Sequence, residues 1–242
     1  MENKNNFVKE LLSAFEQNGM SEMLNDSSAE KLYLLYNSLV ETNKITNLTA
    51  VTDQNGVILK HFLDSASISE YIPANSSVID VGCGAGFPSL PIAIIREDVG
   101  VTSLDSTGKK INFVEGFANG AKLNNVNPTC ARAEDFVLGN REKFDVCTSR
   151  AVARLNVLAE LCIPFIKVGG LFVAMKSNKG NEEYAEAKAG IEKLGAKLLA
   201  SKKIVLNYSG EEIEREIYVF EKVKQTPKEF PRKYAQILKR PL

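Results

Sequence analysis

A chain of 242 residues, 44% hydrophobic and 25% charged, has the make-up of an ordinary globular protein and the length for a single α/β core with appended helices. No apolar run is long enough to span a bilayer, and the Asn-, Glu- and Lys-rich start lacks a signal-peptide core, so a cytoplasmic protein without a membrane partner is expected. The formal net charge of zero argues against a globally basic nucleic-acid binder, and four scattered cysteines beside a lone histidine, His61, exclude zinc and disulfide frameworks.

Apolar residues at helical spacing predict helices over 7–18 and 27–42, the second with Asp26 and two serines as caps. The polar, β-branched stretch 43–52 reads as a loop. A third helix, 57–71, carries His61 and Asp64 and ends before Pro73. Lys60 and Asp64 have the spacing of an i,i+4 surface pair, and His61, between apolar neighbours, reads as a packing residue rather than a catalytic one. Residues 1–72 are thus expected to be a helical extension packed on a core of 73–242. From Ser76 strands and helices alternate, which predicts a doubly wound, mostly parallel sheet. Strands are expected at 77–81, 100–104, 128–133, 144–149 and 171–176, with helices at 88–97, 108–122, 155–166 and 181–194. Two last strands, 197–206 and 216–222, joined by a turn at Ser209-Gly210, predict an antiparallel pair at the sheet edge, seven strands in all.

The first strand ends in Val78-Ile79-Asp80-Val81-Gly82-Cys83-Gly84-Ala85-Gly86-Phe87. Alternating glycines after a buried strand let the backbone turn sharply and approach a ligand. Phe87 stands where the third glycine of a dinucleotide fingerprint would fall, which argues against a pyrophosphate cradle. G-x-G-x-G with Asp80 two residues ahead is similar to the motif of class I methyltransferases that use S-adenosylmethionine (SAM). Ligands of such sheets sit at the carboxyl ends of the strands. Asp105, ending the second strand, is placed to accept from ribose hydroxyls or to cap the next helix. Ala133-Glu134-Asp135 follows the third strand, as an adenine-holding turn or a plain acidic loop. The fourth ends in Thr148-Ser149-Arg150-Ala151-Val152-Ala153-Arg154. It lacks the Pro-Pro-aromatic turn of adenine amino-methylating enzymes, and it offers two guanidiniums that can bind a carboxylate, a phosphate or the O6/N7 edge of guanine. From Lys222 onward seven basic residues face one acidic residue, a net +6, either a phosphate-contacting footprint or a solvated tail.

Several separated segments coincide with one family: "NKITNLTAVTD" (43–53), "KHFLDSASI" (60–68), "VIDVGCGAGFPSLPIAI" (78–94), "LDS" with "KKINFV" (104–114), "RAEDF" (132–136), "FDVCTSRAVARLNVLAEL" (144–161), "GGLFVAMK" (169–176) and "FPRKYAQILKRPL" (230–242). The chain resembles the bacterial 16S ribosomal RNA guanine-N7 methyltransferases, also called glucose-inhibited division protein B. The resemblance implies a class I SAM-dependent fold, SAM as cofactor, no metal, and methylation at N7 of a guanosine in the decoding region of 16S rRNA by a monomer acting on the small ribosomal subunit or its precursor. It implies that Gly82, Gly84 and Phe87 line the cofactor pocket, Asp105 meets the ribose, Ala133 and Glu134 contact the adenosine end, and Arg150 closes the site. Arg154, Lys176, Arg232 and Lys233 are the candidate substrate contacts. Guanine N7 has an in-plane lone pair and no proton to lose, so no catalytic acid or base is expected. A small-molecule methyltransferase and an RNA-binding protein with a vestigial cofactor site are the rival readings. The tail "YAQILKRPL" departs from the glycine- and threonine-rich version common in the family.

Overall fold

The computed structural model describes residues 2–150, 152–177 and 180–242, so Ala151 of the loop after the fourth strand lies outside the described residues. Among the described residues seven strands form one sheet: β1 (Ser77–Val81), β2 (Gly100–Asp105), β3 (Val126–Cys130), β4 (Phe144–Arg150), β5 (Ile166–Lys176), β6 (Ala196–Tyr208) and β7 (Glu211–Lys222). Their order is β3-β2-β1-β4-β5-β7-β6, with β1 to β5 parallel and β7 antiparallel to both of its neighbours. The topology reverses between β1 and β4, so their carboxyl ends flank the crevice where such sheets hold ligands.

Strand residues alternate between two faces, and both are covered. Val78, Val101, Val146, Val173 and Val219 meet Ile92 and Ala93 of α5 (Ser89–Ile95). The same side carries α1 (Glu2–Gln17), α2 (Asp26–Thr46) and α6 (Gly108–Gly120), whose Phe7, Leu11, Leu32, Leu35, Leu39, Phe113 and Val114 share one apolar cluster with Leu90 and Phe62. The opposite residues, Ile79, Cys147, Phe172 and Phe220, pack under α8 (Leu155–Cys162) and α9 (Gly180–Leu194). The apolar run of β1 suits burial on both faces, and in β4 Val146 and Cys147 turn to opposite faces.

Three departures from the expected boundaries have local causes. β5 begins at Ile166, before Gly169-Gly170: the pairing with β4 slips between Phe144 and Val146, and Gly169, at φ +90, absorbs the irregularity within the strand. β3 stops at Cys130, and Ala133 starts a helix, α7 (Ala133–Asn140), instead of ending the strand. Pro128 is tolerated because β3 is the sheet edge, while Glu134 and Asp135 in the first helical turn favour the positive end of the helix dipole. The helix predicted over 57–71 is segmented into α3 (Gln54–Val57), a π-helical stretch over Ile58–Leu63, α4 (Asp64–Ala66) and a 3-10 turn, Ser69–Tyr71.

The basic C-terminal segment is not simply a solvated tail, because part of it is folded into the core. Phe230 and Ile237 are buried, the latter in α10 (Tyr234–Lys239), and each buried side chain of this kind contributes roughly 2 kcal/mol. Lys222 is fully buried, its Nζ donating to Glu142 Oε1 at 3.1 Å and to the carbonyls of Ile163 and Ile166 at 3.0 and 3.1 Å. Arg232 is held by the buried Glu160, which accepts from its backbone N–H at 2.8 Å, its Nε at 2.9 Å and its Nη2 at 2.5 Å.

Candidate active site

At the carboxyl ends of β1, β2 and β4 lies a cavity of about 430 Å³. Gly82, Gly84, Phe87, Asp105, Ala133, Glu134 and Arg150 all line it. Arg154, Lys176, Arg232 and Lys233 do not.

The glycine loop rests on the end of β2. Gly82 N and Cys83 N donate to Leu104 O at 2.7 and 3.1 Å, and Gly84 N donates to Asp105 Oδ2 at 3.0 Å. Asp105 Oδ1 accepts from Thr107 N at 2.8 Å, so this carboxylate both organises the loop and caps the approach to α6. Three loop amides are therefore spent inside the protein, which leaves no nest for a pyrophosphate. Gly82 and Gly84 have φ of +76 and +59, the left-handed region. A Cβ on Gly82 would lie 2.4 Å from Val152 Cγ2, whereas a Cβ on Gly84 would meet nothing within 4 Å. Gly84 thus opens onto free space, bonded to the Asp105 carboxylate, in a cavity that Glu134 also lines. A nucleoside with a cationic, phosphate-free arm fits that cradle, and SAM is such a molecule. Behind the loop, Asp80 is fully buried and accepts from Ser89 N at 3.1 Å, fixing the start of α5, and burial pushes its carboxyl up to about 7.

The opposite wall comes from the π-helical segment. The His61 ring stacks on Phe87 with centroids 4.3 Å apart, and the Arg150 guanidinium lies 5.7 Å from the same ring. Arg150 Nη1 donates to Lys60 O at 2.6 Å and to Asp64 Oδ2 at 2.9 Å, and its Nη2 is 3.3 Å from His61 Nδ1. Asp64 has no exposed side-chain surface; its second oxygen accepts from Arg215 Nε at 3.0 Å, so it bridges two arginines. The expected surface pair of Lys60 and Asp64 is therefore not formed. Lys60 reaches Glu211 at 2.9 Å instead, because the π-helical turn directs Asp64 inward, to where β4 and β7 deliver guanidiniums.

His61 Nε2 is 3.1 Å from Thr49 Oγ1, a hydroxyl that can donate or accept and so satisfies either tautomer. Burial, reinforced by the Arg150 charge, lowers the imidazole pKa to about 3, which keeps the ring neutral. Thr49 is itself pinned: Asn43 Oδ1 accepts from Leu48 N and Thr49 N at 2.5 and 2.9 Å, and Asn47 closes α2 in the left-handed conformation.

The four remaining candidates have other partners. Lys176 Nζ donates to Ala153 O at 2.8 Å and pairs with Glu183 at 2.7 Å; Glu183 Oε2 also accepts from Leu155 N at 2.8 Å. It thereby ties down the loop after β4 and the start of α8. Arg154 is well exposed and pairs with Glu186 at 2.5 Å, and Lys233, exposed, pairs with Asp135 at 3.0 Å. Sequence reasoning missed Leu48, Thr49, His61, Lys110, Arg132, Val152 and Tyr234 as lining residues. Lys110 near the start of the helix after Asp105, Arg132 beside Ala133 and Val152 beside Arg150 offered a local signal, whereas Leu48, Thr49, His61 and Tyr234 converge through tertiary packing.

Residues 28–218 match the family described as rRNA small subunit methyltransferase G. The ribosomal RNA small subunit methyltransferase G of Staphylococcus carnosus is 46% identical over 224 residues, covering 90% of this chain and 92% of that protein. The protein of the same name from Lysinibacillus sphaericus is 43% identical, covering 93% and 94%. Among solved structures, M. jannaschii TYW2 in complex with AdoMet superposes with a TM-score of 0.55 at 20% identity, covering 66% of this chain and 75% of its own. The [4+2]-cyclase SpnF superposes nearly as well, at 0.53 and 13% identity over 66% of this chain and 80% of its own, so the shared fold by itself does not choose a reaction. The fold is that of the class I SAM-dependent methyltransferases, and the chain belongs to the rRNA small subunit methyltransferase G family.

Proposed function

We propose that this chain is a SAM-dependent methyltransferase that methylates N7 of a guanosine in 16S rRNA, in the decoding region. The observation that carries the reading is the single cavity onto which Gly84, Asp105, Phe87 and Arg150 all open, in a chain of this family. SAM supplies an electrophilic methyl on a sulfonium. Gly82 and Gly84 allow close backbone approach to it, Asp105 accepts from the ribose, Ala133 and Glu134 meet the adenosine end, and Phe87 with Arg150 forms the wall on the acceptor side. The target base is extruded into the cavity beside that wall. N7 attack needs alignment and desolvation but no proton acceptor, which agrees with a histidine held neutral and hydrogen-bonded to a threonine.

Arg154 and Lys233, both exposed, are assigned to phosphates of the RNA, whereas Lys176 and Arg232 hold the loop and the C-terminal segment in place. The enzyme works as a monomer on the small subunit or its precursor, in the cytoplasm where ribosomes are assembled. Transfer of a tritiated methyl from SAM to small subunits lacking the modification tests the reading. Label on guanine N7 is expected, and label on an amino group, a ribose or a protein would overturn it.

A further inference from the structure

The C-terminal helix α10 sits against the cofactor cavity, and nothing in the motifs assigns it a role there. Tyr234, its first residue, lines the same cavity as Asp105, Arg132, Ala133 and Glu134. The ring is partly exposed, and the Arg132 guanidinium lies 5.8 Å from its centroid. Its placement is over-determined from both sides. Two residues before it, Arg232 is locked by backbone and side chain to the buried Glu160, and three residues after it, Ile237 is buried among α8 neighbours. Lys233 adds a pair to Asp135 in the first turn of α7. Tyr234 itself packs against the apolar cluster under α8, and it also forms part of the cavity lining, while Arg232, Lys233 and Ile237 anchor the helix beside it. An aromatic ring flanked by a guanidinium, beside a carboxylate placed for a ribose, is the chemistry that holds a purine by its π-face.

We infer that Tyr234 is a cofactor-binding residue, forming with Arg132 an aromatic-cationic wall that stacks on the adenine of SAM, so that the start of α10 serves the methyl donor. The inference rests on the functional reading above and names one wall of the same site. A segment whose charge reads as an RNA-binding tail thus also closes the nucleoside end of the pocket.

Isothermal titration of the full chain with SAM and with S-adenosylhomocysteine tests it. Tyr234→Ala is expected to weaken both ligands by about tenfold or more, because stacking acts on the base that they share, and Tyr234→Phe is expected to bind within about twofold of wild type. The chain contains no tryptophan, so Tyr234→Trp supplies a single reporter whose emission should change saturably with SAM. This second variant keeps an aromatic ring and guards against a folding defect in Tyr234→Ala. Wild type that binds SAM while Tyr234→Ala binds within twofold, or a Tyr234→Trp emission indifferent to bound SAM, overturns the inference and leaves the methyltransferase reading standing. Wild type that binds neither ligand overturns both.

Discussion

Asp64 offers the sharpest test of how this site is held. Its carboxylate has no exposed surface and accepts from Arg150 at 2.9 Å and from Arg215 at 3.0 Å, while those arginines retain only 15% and 23% of their side-chain exposure. Asp64→Asn keeps the volume but removes the negative charge that both guanidiniums share and turns an NH2 group toward one of them. Removing one partner of a buried pair costs about 3–5 kcal/mol, since the remaining charge stays desolvated and uncompensated. For a chain of this length that corresponds to a fall in melting temperature of roughly 10 °C. Activity should fall further than stability explains, because Arg150 also carries the wall formed with Phe87. The assay is thermal unfolding followed by methyl transfer at a temperature where the variant is folded. A melting temperature within about 2 °C of wild type would refute the reasoning, since it would mean that the two arginines do not need this carboxylate.

Gly84→Ala forces an L-residue to φ +59, a cost of about 1–2 kcal/mol, and projects a methyl into open cavity; SAM affinity measured by calorimetry should drop at least about tenfold while melting falls only a few degrees. His61 titrates near 3 when folded against 6.5 when unfolded, so the unfolded chain takes a proton that the folded one refuses, and stability drains as pH falls from about 6.5 toward 3. Asp80, raised to about 7 from 3.8, acts with the opposite sign, its contribution being lost as pH rises through that window. His61→Asn removes the first effect alone, so relative to wild type its urea midpoint should be higher at about pH 5 than at about pH 7.5; an equal offset at both would refute the burial of a neutral ring. Deleting residues 224–242 should produce an unfolded or aggregated product rather than a folded enzyme blind to RNA, because Phe230 and Ile237 are core; a native-like circular dichroism melt of the truncated chain would contradict this.

The fold was legible wherever one local signal sufficed. The alternation of strand and helix patterns and glycine punctuation placed β1, β2 and β4, buried nearly throughout, within a residue, and the edge hairpin followed from two strands and a Ser-Gly turn. α7 escaped notice because Arg132-Ala133-Glu134-Asp135 is too short and too acidic to show a helical stripe, although the acidic residues suit a first turn. The glycine end of the site was equally readable, since Gly82, Gly84, Phe87 and Asp105 are close in sequence or end neighbouring strands. Of the acceptor wall only Arg150, at the end of β4, was readable: Thr49, His61, Asp64 and Arg215 reach it through a π-helical turn and a strand-end register, which no local pattern encodes. Charge counting left the role of the C-terminal segment open for a related reason. Composition reports how many lysines and arginines a segment has, but not that Lys222 and Arg232 are spoken for by Glu142 and Glu160.

That internal neutralisation changes what brings enzyme and RNA together. With a net charge of zero and three of the seven C-terminal cations already paired within the molecule, the protein projects a weaker long-range field toward a polyanion than the count of lysines and arginines suggests. Fewer counterions are displaced on contact than seven free cations would release, so encounter gains less from steering and loses less to physiological salt. Discrimination among the many guanosines of a ribosome then falls to the moment after collision, when only a nucleotide presented in the right shape can reach the methyl donor.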